Sequence, residues 1–259
     1  MRKLVRGRGQ QQLAAFLMGL ILALLMGAGI TRADGPEERP QTPLRANWVG
    51  FDISWPQCHE RAFPPGQVAF GIVGVTGGKP YTVNPCLRDQ YRWAKTGAYP
   101  AEVYINLDYW KRLTFRHFFG PAGLCSFDDV LCQSYNYGWN AAKEAVAFGR
   151  ENGVDAKRWW LDVETMNHWS KDTSANARIV RAAIDYLESQ GLETGIYSTP
   201  YQWGVIAGDF APGVPVWTAG ATSLAGAMQR CTDPRYAFAG GRVELVQYVE
   251  EFDTNYACP

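Results

Sequence analysis

The chain reads as an α/β protein built on a TIM-like βα barrel, irregular and with a helix-poor last third. Apolar, β-branched segments alternate with helical ones, and seven or eight of the former fit between Trp48 and Pro259, a span of 259 − 47 = 212 residues. Alternation calls for parallel strands with helices on the outer face, and so many strands in so short a span favour closure into a barrel. A doubly wound open sheet is the alternative. No G-x-G-x-x-G or G-x-x-x-x-G-K-[ST] follows any strand, however, and Gly74, Gly77 and Gly78 in V-G-V-T-G-G-K read as a tight strand-to-loop turn.

The chain opens with Arg2, Lys3, Arg6 and Arg8, an uncharged apolar run from Leu13 to Ile30, and Thr31-Arg32-Ala33 as a small-residue cleavage site. Residues 1–33 therefore read as a secretory signal peptide. That run of 18 residues also reaches the lower limit of a membrane span, so an uncleaved N-terminal membrane anchor is the alternative. These residues hold five of the 25 Lys+Arg and none of the 25 Asp+Glu, so the remainder carries 20 − 25 = −5. A mildly acidic product without a basic cluster is not expected to bind nucleic acid. Residues 34–47 (DGPEERPQTPLRAN) form a Pro-rich linker too polar to bury, and residues 48–259 one domain. A secreted or wall-associated monomer is the expected state.

Strands are expected over Trp48–Ser54 and Val68–Val75, and Asn84-Pro85 then opens a helix running to Gly97. Glu102–Leu107 is the third strand. It is followed by an insertion, Asp108–Gln133, expected to cover part of a groove and set what fits there. A helix through Ala141, Ala145, Val146 and Phe148 stops at Asn152-Gly153, and Arg158–Glu164 is the fourth strand. Ser174–Gln190 is a helix with Val180, Ala183, Ile184 and Leu187 on one face and Gly191 as its C-terminal cap. Thr194–Ser198, Val214–Thr218, Val243–Val249 and a short piece near the end complete the strands.

Chemistry centres on the fourth strand. Alternation places Trp160, Asp162 and Glu164 on one face and Trp159, Leu161 and Val163 on the other. In a barrel, Asp52 near the end of strand one, Glu164 at the end of strand four and Asp253 just past strand seven converge on the C-terminal rim, with Asp162 beneath. Tyr104, Trp160, Tyr197, Trp217 and Tyr248 fall at comparable strand positions, and flat apolar rings beside acids suit the stacking of sugars. Burial near Trp160 and repulsion from Asp162 are expected to raise the pKa of Glu164 and so make it a proton donor.

Cys58, Cys86, Cys125, Cys132, Cys231 and Cys258 in an exported chain read as three disulfides. Fifteen pairings are open. Cys58 and Cys86 each follow a strand, Cys125 and Cys132 close a short loop, and Cys231 with Cys258 would tie down the C-terminus. With no C-x-x-C and only His59, His117 and His168 as histidines, neither metal nor cofactor is expected.

Successive motifs carry a resemblance: G-F-D-I-S at 50–54, L-D-V-E at 161–164, G-I-Y-S at 195–198 followed by Trp203, P-V-W-T-A at 215–219, and V-Q-Y-V-E-E-F-D-T-N at 246–255. In order and spacing they resemble glycoside hydrolase family 25, the peptidoglycan muramidases, and more closely its secreted bacterial family 25-like domains. The resemblance implies a flattened barrel whose last strands lack helices, and Glu164 as proton donor with Asp162 orienting or stabilising. It also implies Asp52 and Asp253 as the rest of the acidic site, and Gln247 among the residues that contact glycan. The implied partner is peptidoglycan or a related glycan, cleaved between N-acetylmuramic acid and N-acetylglucosamine. Strand three departs from the family, reading Y-I-N-L where a Tyr-His-aromatic sequence is usual. The loop after strand two, T-V-N-P-C, lacks an acid often found there. A non-catalytic wall-binding module on the same barrel, or an interaction domain, is the competing reading.

Overall fold

A computed structural model describes residues 48–60, 63–64 and 68–259. The signal or anchor segment at 1–33 and the linker at 34–47 lie outside the described residues, and among those described no helix is long and apolar enough to cross a membrane.

In chain order the elements are β1 (Val49–Ile53), α1 (Gln57–Glu60), β2 (Gly71–Gly74), α2 (Leu87–Ala94), β3 (Glu102–Asn106), α3 (Phe115–Phe118), β4 (Phe119–Gly120) and β5 (Gly123–Leu124). Then come α4 (Val130–Glu151), β6 (Arg158–Asp162), α5 (Thr173–Ser189), β7 (Glu193–Ser198), α6 (Pro200–Ala207), β8 (Val214–Ala221), α7 (Leu224–Arg230), β9 (Gly240–Val249) and β10 (Asp253–Ala257). Eight strands close a barrel in the order β1-β10-β9-β8-β7-β6-β3-β2. Neighbours are parallel except that β10 runs antiparallel to both β9 and β1. The short eighth strand is thus the returning arm of a hairpin, which reverses its direction and sets its first residue, Asp253, at the same rim as the ends of the parallel strands. Helices of 8 and 7 residues, α6 and α7, do occur in the last third, but they are short beside the 22 and 17 residues of α4 and α5.

Side-chain alternation separates two cores. Outward residues Val73, Val103, Trp159, Leu161 and Val163 pack with Ala142 and Val146 of α4 and Val180, Ile184 and Leu187 of α5. Inward, Phe70, Ile72, Trp160, Trp217, Leu245 and Ala257 fill the barrel. Each buried indole removes about 150–250 Å² from water, roughly 4–6 kcal/mol at about 25 cal/mol per Å² before ordering entropy is counted. The lower end of the barrel is closed by polar pairs. Trp160 Nε1 donates to Glu102 Oε2 at 2.7 Å, and Arg158 pairs with Glu193 at 2.9 Å and Glu244 at 3.1 Å.

The helix expected from Asn84 begins later. Asn84 Oδ1 accepts from Cys86 N at 3.0 Å in the turn that leads into α2, and its Nδ2 donates to Gly74 O and to Gln90 Oε1, so it also locks the loop to β2. The disulfides are Cys58–Cys86, Cys125–Cys132 and Cys231–Cys258. The second fastens the β4–β5 hairpin to the first turn of α4, whose Asp129 cap accepts from Cys132 N. The insertion is held to α4 and to the loop after β2, where Arg116 lies over the Tyr81 ring. Asn140 of α4 donates to Arg116 O and Phe119 O, Asn136 donates to His117 O and Gly123 O, and Arg116 pairs with Glu144, so Phe115–Leu124 is strapped along α4. At its root, Tyr109 N donates to His168 O in the loop after β6, and Trp110 packs on Tyr109 and His117.

Gly195 on β7 exists as glycine because its register partner is Trp160: a Cβ there would lie 2.2 Å from Cζ3 of that ring. Gly195→Ala is therefore expected to cost about 2–3 kcal/mol by overpacking, lowering the thermal midpoint by roughly 4–12 °C. Gly204→Ala in α6, where a Cβ meets nothing within 4 Å, should leave the midpoint unchanged or slightly raised. Thermal unfolding of the two variants by circular dichroism checks both.

Candidate active site

Four carboxyls meet at the C-terminal mouth: Asp52 on β1, Asp162 as the last residue of β6, Glu164 just beyond it, and Asp253 opening β10. Their convergence follows from register. Asp162 sits opposite Asn106 of β3 and Tyr197 of β7, while Gly50, two residues below Asp52, sits opposite Asn255 of β10. Asp52 and Asp162 are 7% and 5% exposed, so both lie in the wall of the mouth; Glu164 and Asp253 are half-buried at its edge. None of the ion pairs among the described residues involves any of the four.

Amides stand in for cations. Asp52 Oδ2 accepts from Gln247 Nε2 at 2.9 Å and from Asn255 Nδ2 at 2.7 Å. Gln247 Oε1 in turn accepts from Tyr197 OH at 2.8 Å, and Asn255 Oδ1 from Trp217 Nε1 at 2.7 Å. Asp162 Oδ2 accepts from Asn106 Nδ2, and Asp162 and Glu164 act on each other's titration, as Gln202 acts on that of Glu164. Gln202 Oε1 accepts from Thr165 N at 2.6 Å and from Thr165 Oγ1 at 2.9 Å.

Burial and crowding push all four carboxyls upward. Asp52 rises to about 7, mainly by loss of solvent and then by the charge of Asp253, with the two amide donors opposing. Asp162 lies well above the ordinary range through burial and the charges of Glu164 and Asp52. Glu164 and Asp253 are raised too, each chiefly by burial. The expected causes for Glu164 divide: burial raises it and the charge of Asp253 adds to the rise, whereas its contact with Asp162 lowers it. Trp160 is not beside Glu164 but two residues beneath Asp162.

The residues expected to contact glycan divide. Tyr104 and Tyr197 are half-buried and face the acids, burial and acidic charge raising both phenols. A Cβ at Gly74 would lie 2.8 Å from Cζ of Tyr104, so that glycine makes room for the ring. Gln247 faces inward onto Asp52. Trp160 at 0% and Trp217 at 1% exposure are interior packing with no face open to a ligand. Tyr248, adjacent to inward-facing Gln247, points out of the barrel and packs with Ala227 of α7, Val246 and Tyr256. Asn106, Gln202, Asn255 and Thr76 were not anticipated. Each is a neutral side chain whose importance rests on register or loop contacts between distant segments. The described residues contain no cluster of His, Cys, Asp or Glu arranged to hold a metal.

A carboxyl whose folded pKa lies above its unfolded value binds more protons folded than unfolded, so its contribution to stability falls as pH rises between the two values. For Asp52 that window runs from 3.8 to about 7. Stability should therefore decline from pH 4 to pH 7.5, and Asp52→Asn, which keeps an oxygen for Gln247 and Asn255, should flatten the decline. Urea unfolding across this pH range, wild type against variant, measures it; equal slopes would refute the assignment.

A family model described as Lysozyme-like protein 1 matches residues 122–230, a stretch that holds Asp162 and Glu164. Lysozyme-like protein 1 of Caenorhabditis elegans is 30% identical over 60 residues, 23% of this chain and 20% of the relative. Probable GH family 25 lysozyme 4 of Dictyostelium discoideum is 39% identical over 62 residues, 23% of this chain and 29% of the relative. The matches thus span less than a third of these relatives' lengths. The solved structure of GHIP, a glycosyl hydrolase 25 of Streptococcus pneumoniae, superposes with a TM-score of 0.51 at 16% identity, over 82% of this chain and 88% of that one, a likeness of fold. By sequence through its middle and by the fold of its barrel, the chain is similar to the lysozymes of glycoside hydrolase family 25.

Proposed function

We propose that the chain is an exported glycoside hydrolase that cleaves cell-wall glycan, namely the N-acetylmuramic acid to N-acetylglucosamine bond of peptidoglycan, with Glu164 as proton donor. The observation that carries this reading is the convergence of four buried or half-buried carboxyls, Asp162 and Glu164 among them, at a mouth where none of them is in an ion pair among the described residues. Acid cleavage of a glycoside needs one carboxyl that keeps a proton near neutral pH and a second that can be left ionised beside the oxocarbenium-like centre. Glu164 is the more exposed of the two and is the one a leaving oxygen can reach; Asp162, buried beneath it, is the carboxyl left to carry the negative charge. Asp52 and Asp253 tune the field, and Tyr104, Tyr197 and Gln247 line the mouth where a sugar would lie. Three disulfides suit an oxidising, extracellular compartment.

One observation favours a second reading, a wall-binding module without turnover: strand three carries Asn106 where the family usually has an aromatic residue. A single pair of assays separates the two. Glu164→Gln should abolish release of reducing sugar from purified peptidoglycan while sedimentation with the same peptidoglycan persists, because the amide keeps shape and hydrogen bonding but has no proton to donate. General acid catalysis contributes about 10²- to 10⁴-fold, which sets the least loss expected. Asp162→Asn should be similarly severe, and Asp253→Asn milder. Wild-type chain that sediments with peptidoglycan and releases no sugar would leave the binding-module reading standing instead.

A further inference from the structure

Thr76, Asn106 and Asp162 form a chain of hydrogen bonds with a fixed direction. Thr76, 2% exposed, follows β2; its Oγ1 accepts from Asn106 N at 3.1 Å, so its one hydroxyl proton goes to Asn106 Oδ1 at 2.6 Å. That bond settles which way the Asn106 amide points: the carbonyl faces Thr76 and Nδ2 donates to Asp162 Oδ2. The reverse orientation would strand the Thr76 proton in a buried place and press the Asn106 oxygen against Asp162. The other Asp162 oxygen, Oδ1, is buried and has no hydrogen-bond partner among the described residues. The charge of Glu164, two residues on, acts on this carboxyl.

We propose that Asn106 is a positioning residue for this carboxyl pair: with Thr76 behind it, it keeps Oδ2 of Asp162 an acceptor and so leaves Oδ1 as the oxygen that takes up or gives up a proton. The consequence for catalysis rests on the glycosidase reading above. Glu164 gives its proton to the glycosidic oxygen as the C1–O bond breaks, water adds to C1 and returns a proton to Glu164, and the Asn106 N–H stabilises the Asp162 carboxylate whose negative charge offsets the oxocarbenium-like centre. The groups facing Asp162 are Glu164 on its own strand, Asp52 from β1, Asn106 and Tyr104 from β3 and Tyr197 from β7, with Asp253 of β10 acting on Glu164 and Asp52. Of these only Asn106 donates an amide N–H to Asp162, so its loss is not compensated.

The test follows the carboxyls directly. In the full chain labelled with ¹³C at Asp and Glu side chains, without substrate, Asn106→Ala removes a donor to the anionic form. A hydrogen bond to a charged group is lost, so the titration of the Asp162–Glu164 pair should move up by about one pH unit or more. Thr76→Val, which frees the amide to turn, should move it in the same direction by less, and Thr76→Ser should restore wild-type behaviour. In the rate profile for peptidoglycan cleavage both limbs should shift upward together, which a merely structural loss would not produce. Pair titrations in Asn106→Ala and Thr76→Val that stay within about 0.3 of a pH unit of wild type, or move down, overturn the proposal. Should Asn106→Ala not fold, Thr76→Val alone decides by the same criterion. A chain that releases no sugar yet shows the upward shift would refute the glycosidase reading and leave the ordering of the pair in place.

Discussion

An ionised carboxyl withdrawn from water is costly unless its lone pairs are met, and the effective penalty is several kcal/mol per ion even after relaxation. Asp52 and Asp162 face this cost at the barrel mouth with no Lys or Arg among the described residues paired to them. Side-chain amides meet it instead: Gln247 and Asn255 on Asp52, Asn106 on Asp162. An amide dipole lowers the penalty without cancelling the charge, so the carboxyls stay both buried and hungry for protons. A cation in the same place would have pulled them down to full ionisation and left no proton to share.

Holding those amides in place requires the barrel to close as it does. The β9–β10 hairpin lets one face of β10 present Asp253, Asn255 and Ala257 inward, at the rim, beside Asp52 and in the core respectively. Asn255 then links site and core, its oxygen accepting from Trp217 Nε1 while its amide holds Asp52. Trp217 is packed against Trp160 at a ring distance of 5.8 Å, and Trp160 is anchored below by Glu102. The apolar interior therefore fixes the orientation of the acidic mouth through hydrogen bonds made by its two indoles.

What could be read from the sequence follows from how local each signal is. Strand alternation around Trp159-Trp160-Leu161-Asp162-Val163-Glu164 is a property of adjacent residues, and it places both acids inward as they are. The same rule excludes Tyr248 once Gln247 faces in, so that error lay in reading two neighbours of β9 onto one face. Depth was harder. Trp160 and Asp162 are equivalent inward positions by period, and only the barrel's height makes one a plug and the other a site. Asn106 was legible as a departure from the expected strand-three pattern but not as a partner of Asp162, because that pairing arises from the β3–β6 register across 56 residues. The insertion likewise carries no periodicity that announces its seat on α4; Asn136 and Asn140, on the helix it clasps, decide it.

Glu164 lies beyond the last ladder position of β6, where a chain would ordinarily gain freedom, yet three segments fix its backbone. Val163 N donates to Tyr197 O at 3.0 Å and carries the β7 pairing one residue further. Glu164 O accepts from Trp169 Nε1 at 2.8 Å and from Asn167 N at 3.1 Å, tying the following loop back on itself. That loop is held in turn to the root of the insertion through His168 and Tyr109, and to α6 through Thr165 and Gln202. The carboxyl is thus freed from the sheet just enough to reach the edge of the mouth, while loops from β3, β6 and β7 fix where it points. A proton donor needs both: exposure to meet a leaving oxygen, and a fixed position within hydrogen-bond reach of it.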